Sequence, residues 1–266
     1  MPIAKLNDVD LYYEVEGEKG DWIVFAHGGG DNHLAWWRQV GALKDHYRCV
    51  SYDARWHGRS GQGTTLREAD ETAAADLLGL MDHLKIDKAF LNGHSMGGLA
   101  AAGVALAHPQ RVQGLIMTCT TFGFHTAAMS RWAAEMIDKI PRGFHVLDHS
   151  FAPDFATREP EIAYLHTALR RLNPPRPVSR ESRNYLLAYE RMRDRKPENY
   201  ADFAVPALFV LAEQDGLQLP WLVEATAKAV NGAELARVAG SGHNVHIERP
   251  DDYAAILTRF LDKHRG

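Results

Sequence analysis

Short apolar runs and longer amphipathic segments alternate along the first half of the chain. The apolar runs, at 22–26, 47–52, 89–92 and 112–119, have the length of strands that are covered on both faces of a sheet. The clearest amphipathic segment, 65–84, repeats its apolar residues every three or four positions, as a helix with one buried side does. Strands that alternate with helices in this way predict a mostly parallel sheet with right-handed crossovers.

The two ends of the chain add further elements to this sheet. The opening segment, 3–16, alternates around an Asn7-Asp8 turn and predicts a β-hairpin. Strands are expected again at 207–212 and 234–238. The remaining helices are predicted at 34–43, 96–107, 221–230 and 251–264.

The alternation stops between residues 122 and 204, where helical patterns occur without a convincing strand. Residues 122–203 hold 13 Lys and Arg against 11 Asp and Glu, and the middle is interrupted by Pro174, Pro175 and Pro177. We therefore predict an α/β core of residues 1–121 and 205–266 and a helical cap insertion of residues 122–204.

Charge and hydropathy exclude some partners. The chain of 266 residues has a formal net charge of −4 and no long run of one sign, which argues against nucleic acid as the main partner. The N-terminus has no apolar signal core, and no apolar stretch reaches the ~20 residues that span a bilayer. We expect a cytoplasmic protein that acts on a small-molecule substrate without a membrane, and the sequence leaves the oligomeric state open.

The cysteines and the glycine motifs indicate no cofactor. Cys49 and Cys119 lie singly in apolar runs, so we interpret them as inert core thiols rather than as metal ligands or a redox pair. No nucleotide-binding glycine pattern occurs either. Neither a metal nor an organic cofactor is expected.

The segment Gly93-His94-Ser95-Met96-Gly97 carries the most chemical information. It is a G-x-S-x-G motif directly after a predicted strand and directly before a predicted helix, the context in which a serine serves as a nucleophile. Side chains at 93 and 97 would collide with the neighbouring helix and strand. We call Gly93–Gly97 the nucleophile elbow and predict Ser95 as the nucleophile.

A serine hydroxyl needs a base and an acid to become a nucleophile at neutral pH. Both are expected on loops after later strands, in the order serine, acid, histidine. Asp215 follows the strand at 207–212, and His243 follows the strand at 234–238, after Gly242. We predict Asp215 as the acid and His243 as the base. Glu213 and His246 are their competitors.

The glycine loop, His27-Gly28-Gly29-Gly30, ends the first buried strand and should lie beside Ser95. Its expected role is to supply one backbone N–H of an oxyanion hole, from Gly29, with the N–H of Met96 as the second. His94 is interpreted as a packing residue, because neighbours on a tight turn point in different directions.

Together these residues resemble the α/β-hydrolase superfamily, from about Leu6 to Leu261 and excluding the cap insertion. The resemblance implies a mostly parallel eight-stranded sheet with a helical cap inserted after the sixth strand. One departure is Trp56, at a position where similar proteins carry glycine, which puts the loop after Tyr52 in doubt. The resemblance rests on the segments 27–30, 52–60, 93–98, 212–215 and 242–250.

The resemblance implies a carboxylic ester hydrolase or lactonase that works through an acyl-enzyme on Ser95. Aromatic residues of the cap insertion could line an acyl pocket, although packing of the cap is the alternative for each: Phe122, Phe124, Trp132, Phe144, Phe151 and Tyr164. Some similar proteins hydrolyse carbon–carbon bonds of ring-fission diketones, and the eleven arginines of the insertion could meet such anions. A third interpretation is a triad-bearing sensor of a small ligand. A nucleophilic serine disfavours epoxide hydrolases and haloalkane dehalogenases.

Overall fold

A computed structural model of the chain describes residues 2–63, 66–121, 124, 150–175, 200 and 202–266, with the side chains of 66–71 excepted. Eight strands form one sheet in the order β1-β2-β4-β3-β5-β6-β7-β8. Their bounds are Ile3–Leu6 (β1), Val9–Glu16 (β2), Trp22–Ala26 (β3), Arg48–Tyr52 (β4), Ala89–His94 (β5), Val112–Thr118 (β6), Ala207–Ala212 (β7) and Glu234–Val238 (β8).

Helices connect these strands as the sequence pattern predicts. The described α-helices are Trp37–Leu43 (α1), Leu66–His83 (α2), Gly97–Ala107 (α3), Phe155–Arg158 (α4), Pro160–Arg170 (α5), Pro220–Ala229 (α6), Val245–Glu248 (α7) and Pro250–Lys263 (α8). None of the helices in the described ranges is long and apolar enough to cross a bilayer.

Strand direction brings the chemically interesting loops to one edge of the sheet. The hairpin β1–β2 is antiparallel, and β2 pairs antiparallel with β4, whereas every pair among β3 to β8 is parallel. The loops that follow β3, β5, β7 and β8 therefore leave the same edge, where open α/β sheets bind their ligands. The predicted mostly parallel eight-stranded α/β sheet is confirmed.

The parallel strands are buried on both faces because their side chains alternate between two cores. In β3, Ile23 and Phe25 pack on the side of α1 and α8. Val24 and Ala26 pack on the opposite side, with α2 and α3. Strand β3 is therefore apolar at every position, as its continuous apolar run predicts.

Both ends of the predicted cap insertion contribute to the core. Phe124 is fully buried, and its ring lies 4.9 Å from that of Tyr200 and 5.7 Å from those of Phe203 and Phe209. Phe124 therefore packs against the sheet rather than lining a pocket. Between these ends, the described part of the insertion, 150–175, contains the helices α4 and α5.

Two local features differ from the sequence prediction. The helix predicted over 34–43 is divided into a 3₁₀ turn, His33–Trp36, and α1, because the side chain of Asn32 caps the turn by accepting the amide of Leu34. Trp56 adopts a left-handed backbone conformation, with φ of 65°. That conformation costs a side chain about 1–2 kcal/mol, and burial of the indole offsets this by about as much or more.

The turn from β5 into α3 requires glycine at two positions. A Cβ atom at Gly97 would lie 2.1 Å from the carbonyl oxygen of Ala26 in β3. A Cβ at Gly93 would lie 2.6 Å from the carbonyl oxygen of Gly97. Both contacts are with backbone, which cannot move without separating the helix from the sheet. The collisions expected from the sequence are therefore present.

We predict that Gly97→Ala destabilises the fold by more than about 3 kcal/mol, because the new methyl group forces α3 away from β3. Gly41→Ala is the matched control. Gly41 lies in α1, and a Cβ at this position would have no atom within 4 Å, so alanine there should stabilise by roughly 0.5–1 kcal/mol. Urea unfolding of both variants measures the two effects, and equal stability of the two variants would contradict the account.

Candidate active site

Ser95 occupies a strained turn that its neighbours hold in place. Its φ of 48° lies in the left-handed region, which costs a non-glycine residue of order 1–3 kcal/mol. The Ser95 amide donates to the carbonyl of Thr118, 3.1 Å away. The hydroxyl of Thr120 donates to the Ser95 carbonyl at 2.8 Å. Both peptide groups of the serine are thus tied to the end of β6, which offsets the strain.

A buried polar network lies beneath this turn. The amide group of Asn92 donates to the Tyr253 hydroxyl at 2.8 Å, and the Thr118 hydroxyl donates to the side-chain oxygen of Asn92 at 3.0 Å. The hydroxyls of Thr118 and Tyr253 are 2.7 Å apart. Burial raises the pKa of Tyr253 above its ordinary value, so the phenol stays protonated. The network joins β5, β6 and α8 below the elbow.

Asp215 and His243 are in direct contact. The Nδ1 of His243 lies 2.8 Å from Oδ2 of Asp215, and both side chains are buried. The other carboxylate oxygen of Asp215 accepts the amides of Leu217 and Gln218, each at 2.8 Å. These bonds hold the carboxylate and assign the Nδ1 proton of His243, which leaves Nε2 free to act as a base. The competing acid, Glu213, is exposed instead.

The loop that carries His243 is attached to the cap insertion on both sides of the histidine. The Gly242 amide donates to the Glu248 carboxylate at 3.0 Å, and the same carboxylate accepts the Ala152 amide at 3.0 Å. On the other side, the backbone and side-chain amides of Asn244 donate to the Ser150 carbonyl at 3.1 and 3.0 Å. Burial raises the pKa of Glu248, although its two backbone bonds oppose the rise.

His94 connects the serine turn to His243. Its Nε2 donates to the carbonyl of His243 at 2.9 Å, and the two rings are 4.9 Å apart. Burial, with the neighbouring His246 and His243, holds the pKa of His94 well below its ordinary value, so the ring is neutral. The sequence interpretation of His94 as a packing residue misses this bond. Since Ser95 is the next residue, the bond places the serine turn beside the His243 loop.

His246, the competing base, is a packing residue. Its ring stacks 4.5 Å from the ring of Trp36 and 4.6 Å from that of His94. Neither ring nitrogen has a hydrogen-bond partner within the described ranges, and burial lowers the pKa of His246 to about 3. Without a carboxylate partner to orient it, this imidazole lacks the arrangement that His243 has.

Gly29 and Met96, the predicted oxyanion donors, lie side by side. A Cβ at Gly29 would stand 3.9 Å from the Met96 Cβ. Neither amide donates to an acceptor in the described part of the chain. Met96 also caps α3, whose positive dipole end favours an anion at this point. Two free N–H groups are therefore available beside Ser95.

Two buried histidines fix the glycine loop. The Nδ1 of His27 donates to the Gly28 carbonyl at 2.8 Å, while its Nε2 accepts the Ala54 amide at 3.0 Å. The Nε2 of His57 accepts the Gly30 amide at 3.3 Å. These bonds use the amide of Gly30 and the carbonyl of Gly28, which flank the Gly29 amide. The loop is thereby held with that amide unoccupied.

Sequence reasoning missed several residues at this edge of the sheet, notably Asp31, His166 and Glu248. Each makes its contacts with residues far away in the chain, such as Asp31 with His166, so no local pattern could have indicated them. Among the described residues, no three His, Cys, Asp or Glu side chains are grouped as metal ligands.

Comparison with known proteins identifies the family. A family model described as the alpha/beta hydrolase family matches residues 23–256, most of the chain. The chain belongs to the alpha/beta hydrolase family. The residues quoted for this resemblance from the sequence lead to the same family, and the confirmed sheet has its architecture.

Relatives of this alpha/beta hydrolase are named as hydrolases. The putative carbamate hydrolase RutD of Azorhizobium caulinodans is 27% identical over 98% of each chain. The 3-oxoadipate enol-lactonase 1 of Acinetobacter baylyi is 42% identical over 104 residues, 38% of each chain. The crystal structure of the enol-lactonase from Burkholderia xenovorans has a TM-score of 0.73 and 27% identity and covers 98% of this chain and 100% of its own. These matches support hydrolase activity.

Acid is predicted to destabilise this alpha/beta hydrolase through His246. The folded protein protonates the ring only near pH 3, whereas the unfolded chain does so below the ordinary histidine pKa of about 6.5. Because the unfolded state then binds more protons, stability falls as the pH decreases from about 6.5 towards 3, by up to about 1.4 kcal/mol per pH unit. His246→Phe should remove this contribution without removing a hydrogen bond.

Urea unfolding at pH 7, 6 and 5 measures this effect. The expected result is that the free energy of unfolding falls less steeply with decreasing pH in His246→Phe than in the wild type. The difference in slope should correspond to about one proton bound on unfolding. His46→Gln changes an exposed histidine and should leave the slope unchanged. Parallel pH profiles for the wild type and His246→Phe would show that the buried ring does not resist protonation.

Proposed function

We propose that the chain is a serine hydrolase that cleaves a small carboxylic ester or lactone through an acyl-enzyme on Ser95. The observation that carries the proposal is the bond between Asp215 and His243, at the sheet edge where the Ser95 turn and two unoccupied amides also lie. Family membership supports the hydrolase class. The proposed reaction needs no metal or organic cofactor.

In the proposed first step, Ser95 attacks the carbonyl carbon of the substrate. The Nε2 of His243 takes the hydroxyl proton as the new C–O bond forms. Asp215 keeps the Nδ1 proton in place, 2.8 Å away, and stabilises the imidazolium that results. The carbonyl oxygen becomes an oxyanion and accepts the amides of Gly29 and Met96. Loss of one such donor typically reduces the rate about 10²–10³-fold.

In the second step, the tetrahedral intermediate collapses and His243 protonates the leaving alcohol. A lactone would keep its alcohol attached to the acyl group. Water then attacks the acyl-enzyme, and His243 takes a proton from the water. When the second intermediate collapses, His243 returns this proton to the Ser95 oxygen and the carboxylic acid is released. The same donors serve both steps, because an oxyanion forms at the same place in each.

The substrate class rests on the family and on the relatives. Two of the relatives are named as enol-lactonases and one as a putative carbamate hydrolase. The apolar acyl pocket expected from the sequence remains a prediction. Of its candidate residues, Phe151 is half-buried and stacks 4.6 Å from Phe155, whereas Tyr164 is exposed. Phe122, Trp132 and Phe144 lie outside the described residues.

The alternative functions have less support from the described side chains. Carbon–carbon cleavage would have arginines of the insertion meet anionic ring-fission products. Arg158 pairs with Asp154 instead, and Arg170 contacts the carbonyl of Gly30. Turnover of a ring-fission dienoate without ester turnover would favour carbon–carbon cleavage. Slow single turnover with a ligand-induced rise in melting temperature would favour a sensor.

We predict that Ser95→Ala abolishes hydrolysis of p-nitrophenyl esters, because the variant lacks the hydroxyl on which the proposed acyl-enzyme forms. The expected loss in kcat is at least about 10³-fold. Steady-state kinetics on a series of increasing acyl length, with a small lactone alongside, measures the loss and sizes the acyl pocket. More than a few per cent residual activity in Ser95→Ala would contradict the proposal.

The acid is tested by a pair of amide variants. Asp215→Asn should lower kcat by about 10⁴-fold, because the amide no longer selects the correct His243 tautomer. Glu213→Gln changes an exposed carboxylate two residues away and should leave kcat unchanged. The reverse result, with Glu213→Gln damaging and Asp215→Asn mild, would assign the acid to Glu213.

A further inference from the structure

A buried carboxylate follows the glycine loop directly. Asp31 is the residue after Gly30, and only 4% of its surface is exposed. Its amide donates to the Gly28 carbonyl at 3.1 Å, which closes the loop as a turn. The Gly29 amide proposed as an oxyanion donor lies inside this turn. A negative charge therefore sits two residues from the place where a second negative charge would develop.

Helix α5 of the cap insertion supplies a hydrogen-bond donor and a positive charge to this carboxylate. The Nε2 of His166 lies 3.0 Å from Oδ1 of Asp31, and the Nε of Arg170 lies 3.6 Å from the same oxygen. His166 and Arg170 are four residues apart and so share one face of the helix. On the other side, the neutral ring of His94 brings Nδ1 to 3.9 Å from Oδ2.

The same segment also holds the backbone of the loop. The side-chain amide of Asn173 donates to the carbonyls of Gly30 and Asp31, at 2.6 and 3.2 Å. Arg170 donates to the Gly30 carbonyl at 3.3 Å. Asn32 in return donates to the Leu169 carbonyl at 2.9 Å. The loop and the end of α5 therefore form one bonded unit, and the carboxylate is enclosed by it.

Asp31 is ionised in the folded protein. Burial alone would raise its pKa, but the contacts with His166 and Arg170 outweigh burial and hold the pKa far below its ordinary range. An ionised carboxylate in a site of low dielectric acts on other charges several ångströms away. Without compensation, it would oppose an oxyanion at Gly29 and Met96 and slow the reaction.

We propose that helix α5 compensates the charge of Asp31, and that Arg170 is a positioning residue whose positive charge keeps this carboxylate from opposing the oxyanion. The inference rests on the proposed function, because it concerns the oxyanion of that reaction. It assigns to the cap insertion an electrostatic role in the chemical step, beyond covering the site. Among the described residues, the side chain of permanent positive charge that contacts Asp31 is that of Arg170.

The decisive test restores activity by removing a second charge. Arg170→Gln keeps a hydrogen-bond donor for Asp31 and for the Gly30 carbonyl but carries no positive charge, so kcat for a p-nitrophenyl ester should fall about 10-fold with KM nearly unchanged. Asp31→Asn in the same chain removes the uncompensated carboxylate. The double variant Asp31→Asn/Arg170→Gln should recover to within about 3-fold of the wild-type kcat. A purely structural role predicts the opposite, since the double variant would then be at least as slow as Arg170→Gln.

Arg171→Gln is the matched control. Arg171 follows Arg170 at the end of α5 but is exposed and makes no contact with Asp31, so its removal should leave kcat unchanged. Circular dichroism melting of every variant shows whether it is folded. If Arg170→Gln does not fold, Asp31→Asn alone decides the question. It should retain kcat within about 3-fold, and a greater loss would overturn the inference.

The outcomes separate this inference from the proposed function. A folded wild type that hydrolyses no ester would overturn the proposed function, and the inference with it. A wild type that depends on Ser95, together with an Arg170→Gln variant of full activity, would overturn the inference alone. So would a double variant that shows no recovery.

Discussion

Helix α3 begins against the backbone of strand β3, and this contact exists because position 97 has no side chain. The carbonyl oxygen of Ala26 lies where a Cβ of Gly97 would be, only 2.1 Å from that position. The chain must therefore turn sharply between β5 and α3, and Ser95 at the apex takes a left-handed conformation. Bonds from the end of β6 stabilise that conformation. The same turn places the Met96 amide beside Gly29.

The described part of the cap insertion is bonded to the candidate site at two separate places. Ser150 and Ala152 bond to the loop that carries His243, through Asn244 and Glu248. Helix α5 and Asn173 bond to the glycine loop and to Asp31. One attachment therefore supports the proposed base and the other supports a proposed oxyanion donor. Displacement of this segment would disturb both, which links the insertion to chemistry at the sheet edge.

Local pattern predicted much of this architecture. Largely apolar runs identify β3 to β7 because a strand covered on both faces has apolar residues pointing to each side. Glycines at 93 and 97 identify the elbow for the steric reason that the structure shows. The order of serine, acid and histidine then selects Asp215 and His243, which lie 2.8 Å apart.

What sequence could not predict depends on residues brought together from distant parts of the chain. Asp31 resembles an ordinary loop aspartate until His166, 135 residues later, is placed against it. The short helix α7 was missed because four residues give too little periodicity. Trp56 stands where the family motif has glycine. The motif does not predict a tryptophan there, because burial of the large side chain offsets a backbone conformation that favours glycine.

The nucleophilic role of Ser95 is the central claim, and covalent labelling tests it most directly. The folded protein would be treated with a fluorophosphonate, digested and mapped by mass spectrometry, with Ser95→Ala treated in parallel. The account predicts one adduct, on the peptide that contains Ser95, and none in the variant. An adduct on another residue, or a folded wild type that is not labelled at all, would contradict it.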